Sequence, residues 1–235
     1  MNILWLNLRK RSGNRMAIAA LERLMAAADC DLLLLQETSQ KIKSISPSLS
    51  GMKPVYVSSD LSAFAKISLA QTNVIHSGPF YLGLKVADRY VFNVHLSPYR
   101  SSTRQQELRS LEDIVQGEIG SEIIIGGDFN LAPRPEDGLF NDATSAWTAP
   151  SEREAFRRLI SACGLVDLLA ESSEQEYSIE RSISGGRVRF RCDLILCSKR
   201  LQSVAKANYL HQTRIGAWAV SDHSGMLLAL DDHPS

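Results

Sequence analysis

Glu37 and Asp222 are hard oxygen donors of the kind that Mg²⁺ or Mn²⁺ takes in preference to sulfur. Each stands beside an apolar run: Leu32 to Leu35 gives way to Gln36-Glu37, and Ser221-Asp222-His223 comes just before Met226 to Leu230. Other polar groups fall at similar places. Asn7 closes the first apolar run, His95 follows Val91 to Val94, and Asp128-Phe129-Asn130 follows Ile123 to Gly127. Asn7 and Asn130 suit a phosphate oxygen or a water without adding negative charge. His95 and His223 can donate protons or hydrogen bonds, with Asp128 or Asp193 to orient or activate them. Together they make an inventory for attack on phosphorus.

Taken singly, each has a plainer explanation. A glutamate after a strand is usually a solvated loop residue, and Gly126-Gly127-Asp128-Phe129-Asn130 suits a turn. Ser221 or Asp222 could cap a helix, and a strand histidine such as His95 is commonly structural. Their joint order along the chain carries the inference, so the elements that position them matter.

Asn2 to Asn7 reads as a short strand, and Asn14 to Ala28 places Met16, Ile18, Leu21, Leu24 and Met25 at helical spacing. Asp31 to Gln36, with four consecutive leucines, reads as a strand buried on both faces. Strands are expected around Val55, Phe64 and Val74, then a hairpin of Tyr81 to Val86 and Tyr90 to His95 turned near Ala87-Asp88. Ser101 to Ile119 is amphipathic through Leu108, Leu111, Ile114 and Val115. Glu122 to Gly126 returns to a buried strand, and Ala132 to Pro150 reads as a loop. Ser151 is expected to cap a helix reaching Cys163 through the capping box Ser151-Glu152-Arg153-Glu154. Phe190 to Cys197, Val204 to Tyr209 and Met226 to Leu230 supply the closing strands. Strands and helices interleave without repeat or linker, which predicts a single α/β domain over residues 1–235.

Ligands of open α/β sheets collect outside strand ends, where these polar groups stand. Lys plus Arg equals Asp plus Glu at 26 each, so any attraction to a polyanion must be local. Arg9, Lys10 and Arg11 cut off the first apolar residues before they could form a signal core, and nothing approaches the roughly 20 apolar residues of a membrane span. The four cysteines show no zinc-finger spacing. Cys192 and Cys197 lie at opposite parity on one expected strand, against a disulfide between them. A reduced, cytoplasmic, monomeric protein with buried thiols and no membrane contact is expected.

Trp5-Leu6-Asn7-Leu8-Arg9, Leu35-Gln36-Glu37-Thr38, Asn93-Val94-His95-Leu96, Ile125-Gly126-Gly127-Asp128-Phe129-Asn130, Arg191-Cys192-Asp193-Leu194-Ile195-Leu196 and Ser221-Asp222-His223 resemble, in order, the successive motifs of the endonuclease/exonuclease/phosphatase superfamily. The resemblance implies a four-layer α/β sandwich, two mixed sheets face to face with helices outside. It implies a divalent metal, Mg²⁺ or Mn²⁺, on Glu37 with Asn7 and Asp222 beside it, and no other cofactor. It further implies that Asp128 positions or deprotonates the attacking water, that Asn130 holds the phosphate, and that Asp193 and His223 form a dyad. His95 stands where branches of the family differ, some using histidine and others tyrosine.

Basic residues crowd the expected active loops: Arg9, Lys10, Arg11 and Arg15, then Lys41 and Lys43, Arg100 and Arg104, and Arg187, Arg189 and Arg191. Such loops suit a nucleic acid, with Arg9, Arg11, Arg100 and Arg191 as substrate-binding candidates. Arg191-Cys192-Asp193-Leu194-Ile195-Leu196 is similar to the Arg-x-Asp-x-x-Leu element of the nuclease branches. His95 in place of tyrosine, and the lack of tryptophan from Tyr177 to Arg189, depart from the abasic-site branch and speak against its pocket. The inositol-polyphosphate branch would carry Pro-x-Trp before Cys192-Asp193, and the sphingomyelinase branch a secretion signal and an exposed apolar hairpin. The expected activity is metal-dependent hydrolysis of a phosphodiester in DNA or RNA. A phosphatase or phosphodiesterase of a small phosphorylated molecule, and a non-catalytic nucleic-acid-binding member, stay open as alternatives.

Overall fold

The computed structural model describes residues 1–10, 15–39, 49, 51–69, 71–170, 176–216 and 219–231. Two six-stranded mixed sheets face each other. The first runs β15-β16-β1-β2-β4-β3, from Ala205–Leu210, Gly225–Leu230, Asn2–Asn7, Leu32–Gln36, Leu61–Lys66 and Met52–Val57. The second runs β11-β14-β8-β7-β6-β5, from Leu165–Asp167, Asp193–Ser198, Glu122–Asp128, Arg89–His95, Tyr81–Val86 and Thr72–Ser77.

Strand alternation divides the apolar residues between layers. Ile3, Trp5, Leu32 and Leu34 of the first sheet meet Leu82, Leu84, Val91, Ile124 and Ile195 of the second between the sheets. On the outer face of the first sheet, Leu4, Leu6, Leu33 and Leu35 pack on Ala17, Leu21 and Met25 of helix α1 (Arg15–Ala27). On the outer face of the second, Phe92, Val94, Ile125 and Leu196 pack on Leu108 and Leu111 of α2 (Ser101–Gln116) and Phe156 and Leu159 of α3 (Pro150–Cys163). The consecutive leucines of β2 are therefore shared by two cores, and the layering is the expected sandwich. No helix among the described residues is long and apolar enough to cross a membrane.

Trp5 and Gly126 fix the gap between the sheets. A Cβ built on Gly126 would lie 2.5 Å from the indole, so only glycine lets the ring lie against β8. Gly127, at φ 138°, would place a Cβ 2.1 Å from the Val94 carbonyl oxygen. Both glycines of the Gly-Gly-Asp-Phe-Asn segment are thus required sterically.

Three expectations need correction. Ala132 to Pro150 is not a plain loop: it holds a turn of 3₁₀ helix at Pro135–Asp137 and the strands β9 (Gly138–Phe140) and β10 (Ala143–Thr144). These join β12 (Ile179–Ile183) and β13 (Gly186–Phe190) in a third, four-stranded sheet of order β10-β9-β13-β12. Phe190 to Cys197 is not one strand, because the chain leaves β13 at Phe190 and enters β14 at Asp193, changing sheets through Arg191-Cys192. Ser151 is not the cap of α3: Ala149 is the N-cap, Pro150 opens the helix, and the Glu152 carboxylate accepts from the Ala149 amide at 2.6 Å. All four cysteines are buried and free.

Candidate active site

The register of the central strands brings the carboxylates together. β14 runs antiparallel to β8 with Asp193 opposite Asp128, while β7 runs parallel to β8 with His95 opposite Asp128. β1 and β2 end side by side, Asn7 opposite Gln36. Asn7 and Asp128 follow Trp5 and Gly126 by two residues, so each points to the same side of its strand as its predecessor. Their side chains meet across the gap, Asn7 Nδ2 donating to Asp128 Oδ2 at 3.1 Å. The same amide reaches Glu37 Oε1 at 3.2 Å, and Glu37 Oε1 lies 3.7 Å from His95 Nε2.

Beyond Asp128 the chain of contacts continues. His223 Nδ1 is 2.9 Å from Asp193 Oδ2 and 3.8 Å from Asp128 Oδ2, and its Nε2 is 3.9 Å from Asp222 Oδ1. Asp128, Asp193 and His223 are all buried. Burial alone would lower the imidazole pKa, but the carboxylates of Asp193 and Asp128 raise it to about 10. Burial, and then the neighbouring Asp193 carboxylate, push Asp128 above the usual aspartate range. The cluster holds a protonated ring between two aspartates at neutral pH.

Local backbone geometry aims the other groups. Glu37 (φ 46°), Arg9 (φ 48°) and Asn130 (φ 50°) all occupy the left-handed region, sparsely used by residues with a side chain. Asn130 is held there by its own amide donating to Asp128 Oδ1 at 2.9 Å and by Nδ2 donating to the Leu96 carbonyl at 2.9 Å. One hydrogen of that Nδ2 is left for another acceptor.

The metal-side residues offer oxygens. Glu37 is half-buried, Asn7 and Asp222 flank the carboxylate cluster, and Asp222 Oδ1 is buried without a hydrogen-bond partner. A buried carboxylate oxygen without a partner at Asp222, and a partly exposed carboxylate at Glu37, fit the oxygen donors that a hard divalent cation takes. The tightest grouping of potential ligand atoms among the described residues is a different one: Asp128, Cys192, Asp193 and His223, within 4.8 Å of one another. There the histidine already shares its proton with the aspartates, and burial raises the Cys192 thiol well above its ordinary value. That grouping suits proton handling better than a hydrated cation.

The basic residues divide. Arg9 donates to Asp222 Oδ2 at 2.7 Å and is about half exposed. Arg100 is exposed at the start of α2. Arg11, Lys41 and Lys43 lie outside the described residues. Arg191, expected at the substrate, is instead 2% exposed and locked between Asp137, which it grips with two nitrogens at 2.8 and 3.0 Å, and Asp167 at 2.7 Å. Its charge is spent on holding the sheet-changing segment. Arg104 is likewise buried against Glu152, while Arg187 pairs with Glu180 and Arg189 with Asp142.

Several supporting residues were given no role in the sequence reading. Ser178 Oγ accepts from the Asp193 amide at 3.1 Å, and the Tyr209 hydroxyl donates to the Asp193 carbonyl at 2.6 Å. Gln36 and Asn93 bond in the interior behind Glu37. Arg181, on β12, donates to Asp222 Oδ2 at 2.9 Å. A cavity of about 200 Å³ opens beside the cluster, walled by Trp147, Ile179, Arg181, Phe190 and Cys192 and reaching Asn130. Gln36 and Asn93 lie within motifs that the sequence already marked, whereas Ser178, Tyr209 and Arg181 are identified by tertiary placement alone.

No match was found among curated protein sequences. The structure is similar to the 3'-5' exonuclease NExo from Neisseria meningitidis, with a TM-score of 0.80, 20% identity, and 98% of this chain and 100% of that one covered. It is similar also to an AP endonuclease from Archaeoglobus fulgidus, at TM-score 0.79 and 20% identity over 98% and 99% of the two chains. The AP endonuclease LMAP from Leishmania major aligns at TM-score 0.75 and 18% identity over 99% and 88%. These likenesses are of fold. The sequence profile of the Endonuclease/Exonuclease/phosphatase family matches residues 2–223, and with the strand-end residues assembled as described, the chain belongs to that family.

Proposed function

We propose that this protein is a phosphodiesterase, dependent on Mg²⁺ or Mn²⁺, that hydrolyses nucleic acid. The observation that carries this reading is the unbroken line of polar contacts from Glu37 through Asn7 and Asp128 to His223 and Asp193. It joins a hard-cation side to a proton-handling side at one end of both sheets.

A bound divalent cation supplies charge neutralisation at the phosphoryl oxygens. Glu37, Asn7 and Asp222 would hold it. Asp128 orients the attacking water through its carboxylate, and its raised pKa suits it to take the proton. Asp193 fixes the His223 ring through Nδ1, leaving Nε2 to donate toward a phosphoryl oxygen as charge builds. The remaining Nδ2 hydrogen of Asn130 serves the phosphate from the other side, and His95 backs Glu37. Arg9 and Arg100 lie where a polyanion can reach them.

The test is hydrolysis of bis-p-nitrophenyl phosphate, and of labelled single- and double-stranded DNA and RNA, in Mg²⁺ and in Mn²⁺. Turnover that vanishes in Asp128→Asn is expected. Failure to cleave any diester, with intact folding, would remove the enzymatic reading.

A further inference from the structure

Asp222 Oδ2 is shared by two guanidinium groups that reach it from separate parts of the fold. Arg9 comes from the turn after β1 and Arg181 from β12, at 2.7 and 2.9 Å. Each uses a single nitrogen, Nη1, and each side chain is about half open to solvent, at 48% and 47%. Two positive charges on one carboxylate oxygen leave an excess of one positive charge at the mouth of the cleft. Elsewhere near the site a carboxylate shared by two arginines offers both of its oxygens, Glu180 to Arg187 and Arg214 and Asp137 to Arg134 and Arg191, while Arg189 has Asp142 and Arg191 has Asp167 besides. The Arg9–Arg181 pair is over-supplied with donors for the one oxygen it holds, and a guanidinium fork suits a phosphate with several acceptor oxygens better than a single atom.

Position gives the same answer. Arg181 also walls the cavity that reaches Asn130, and Asp222 Oδ1 faces the Nε2 side of His223. An anion held between the arginines would therefore sit one group away from the reacting centre. We propose that Arg9 and Arg181 form a second phosphate site, for a backbone phosphate next to the one being cut, and that the Asp222 carboxylate occupies it as an internal stand-in until substrate displaces it. The substrate class rests on the proposed nuclease function; the anion site rests on the geometry. Displacement costs two single-nitrogen ion pairs whose arginine ends are half-exposed and whose shared Asp222 is 17% exposed, and a phosphate with more acceptors can replace them.

The stand-in makes a prediction opposite in sign to that for a supporting residue. Binding of fluorescein-labelled (dT)₁₀ in EDTA is measured by anisotropy across a salt series. Arg181→Ala should weaken binding by at least about 5-fold and reduce the log–log salt slope by about 0.7, the value for one phosphate contact on a single strand. Asp222→Asn should tighten binding by a similar factor, because the site is vacated. In an Arg9→Ala/Arg181→Ala background, Asp222→Asn should change little, the non-additivity expected of groups that share one contact. Equal tightening in both backgrounds would reduce the effect to a general field and overturn the proposal, as would unchanged affinity in Arg181→Ala with an unchanged thermal melt. A parallel titration with inorganic phosphate, followed by phosphorus NMR, separates the two readings. If (dT)₁₀ fails to bind the wild type but phosphate shows the same mutant pattern, the anion site stands and the nucleic-acid substrate falls.

Discussion

His223 Nδ1 and Asp193 Oδ2 lie 2.9 Å apart although 30 residues separate them in the chain. The Asp193 backbone is itself held by the Ser178 hydroxyl, which accepts from its amide, and by the Tyr209 phenol, which donates to its carbonyl. Asp193→Asn and His223→Ala should each lower kcat by about 10²-fold or more, in line with losing a positioned donor. The double variant should lose little more than the worse single, since groups that act as a unit are not additive. Multiplicative losses in steady-state kinetics would show that the two act independently.

Chelation tests the cation side. Activity should disappear in excess EDTA and return with Mg²⁺ or Mn²⁺. Glu37→Gln should raise the metal concentration needed for half-maximal rate, while its thermal melt stays within a degree or two of wild type. A melt that drops as far as that of a core variant would make Glu37 a structural residue.

Arg191 gives a stability prediction in place of the substrate role its sequence position suggested. Removing it leaves Asp167 without its guanidinium and Asp137 with Arg134 alone, so Arg191→Ala should lose about 3–5 kcal/mol in denaturant unfolding. Asp137 adds a pH signature. Burial would raise its pKa, but the hydrogen bonds from Arg191 and Arg134 outweigh that and hold it below the usual range. A depressed folded-state pKa gives stability that is present above the unfolded value, about 4, and lost as pH falls through the folded one. The stability gap between wild type and Asp137→Asn should therefore narrow on acidification below about pH 4. A gap constant from pH 7 to pH 3 would contradict the ion-pair assignment.

Gly126→Ala tests the spacing of the sheets. Its Cβ would meet the Trp5 ring, an over-packing worth about 1–3 kcal/mol. Because Asn7 and Asp128 sit two residues further along the same strands, kcat should fall even at temperatures where the variant is fully folded. Unchanged kcat in a folded variant would uncouple the core contact from the site.

Much of this was legible in the sequence because strand ends are marked by abrupt changes from apolar to polar residues. Glu37, His95, Asp128 and the Ser221-Asp222-His223 segment all stand at such changes, and the alternation of Trp5 and Asn7 against Leu4 and Leu6 fixes which faces they share. Arg191 was misread because a charged residue beside a catalytic candidate looks the same in sequence whether its partners are a substrate or two distant aspartates. Asp137 and Asp167 are 54 and 24 residues away. The third sheet was hidden for a related reason: β9 and β10 are only three and two residues long, too short for alternation to register. Arg181 gives no signal at all until β12 places it over Asp222.

Among the described residues Trp5 is the largest fully buried side chain, and its ring nitrogen is buried without a hydrogen-bond partner. An indole in such dry surroundings emits to the blue of a solvated one, such as Trp147 at 52% exposure. With Trp147 and Trp218 replaced by phenylalanine, the chain would carry a single tryptophan, excited selectively over the tyrosines at long wavelength, lodged between the two sheets two residues from Asn7. The protein thus contains its own optical gauge: a shift in that emission on adding metal or oligonucleotide would register whether the sheets part or tighten as the cleft is filled.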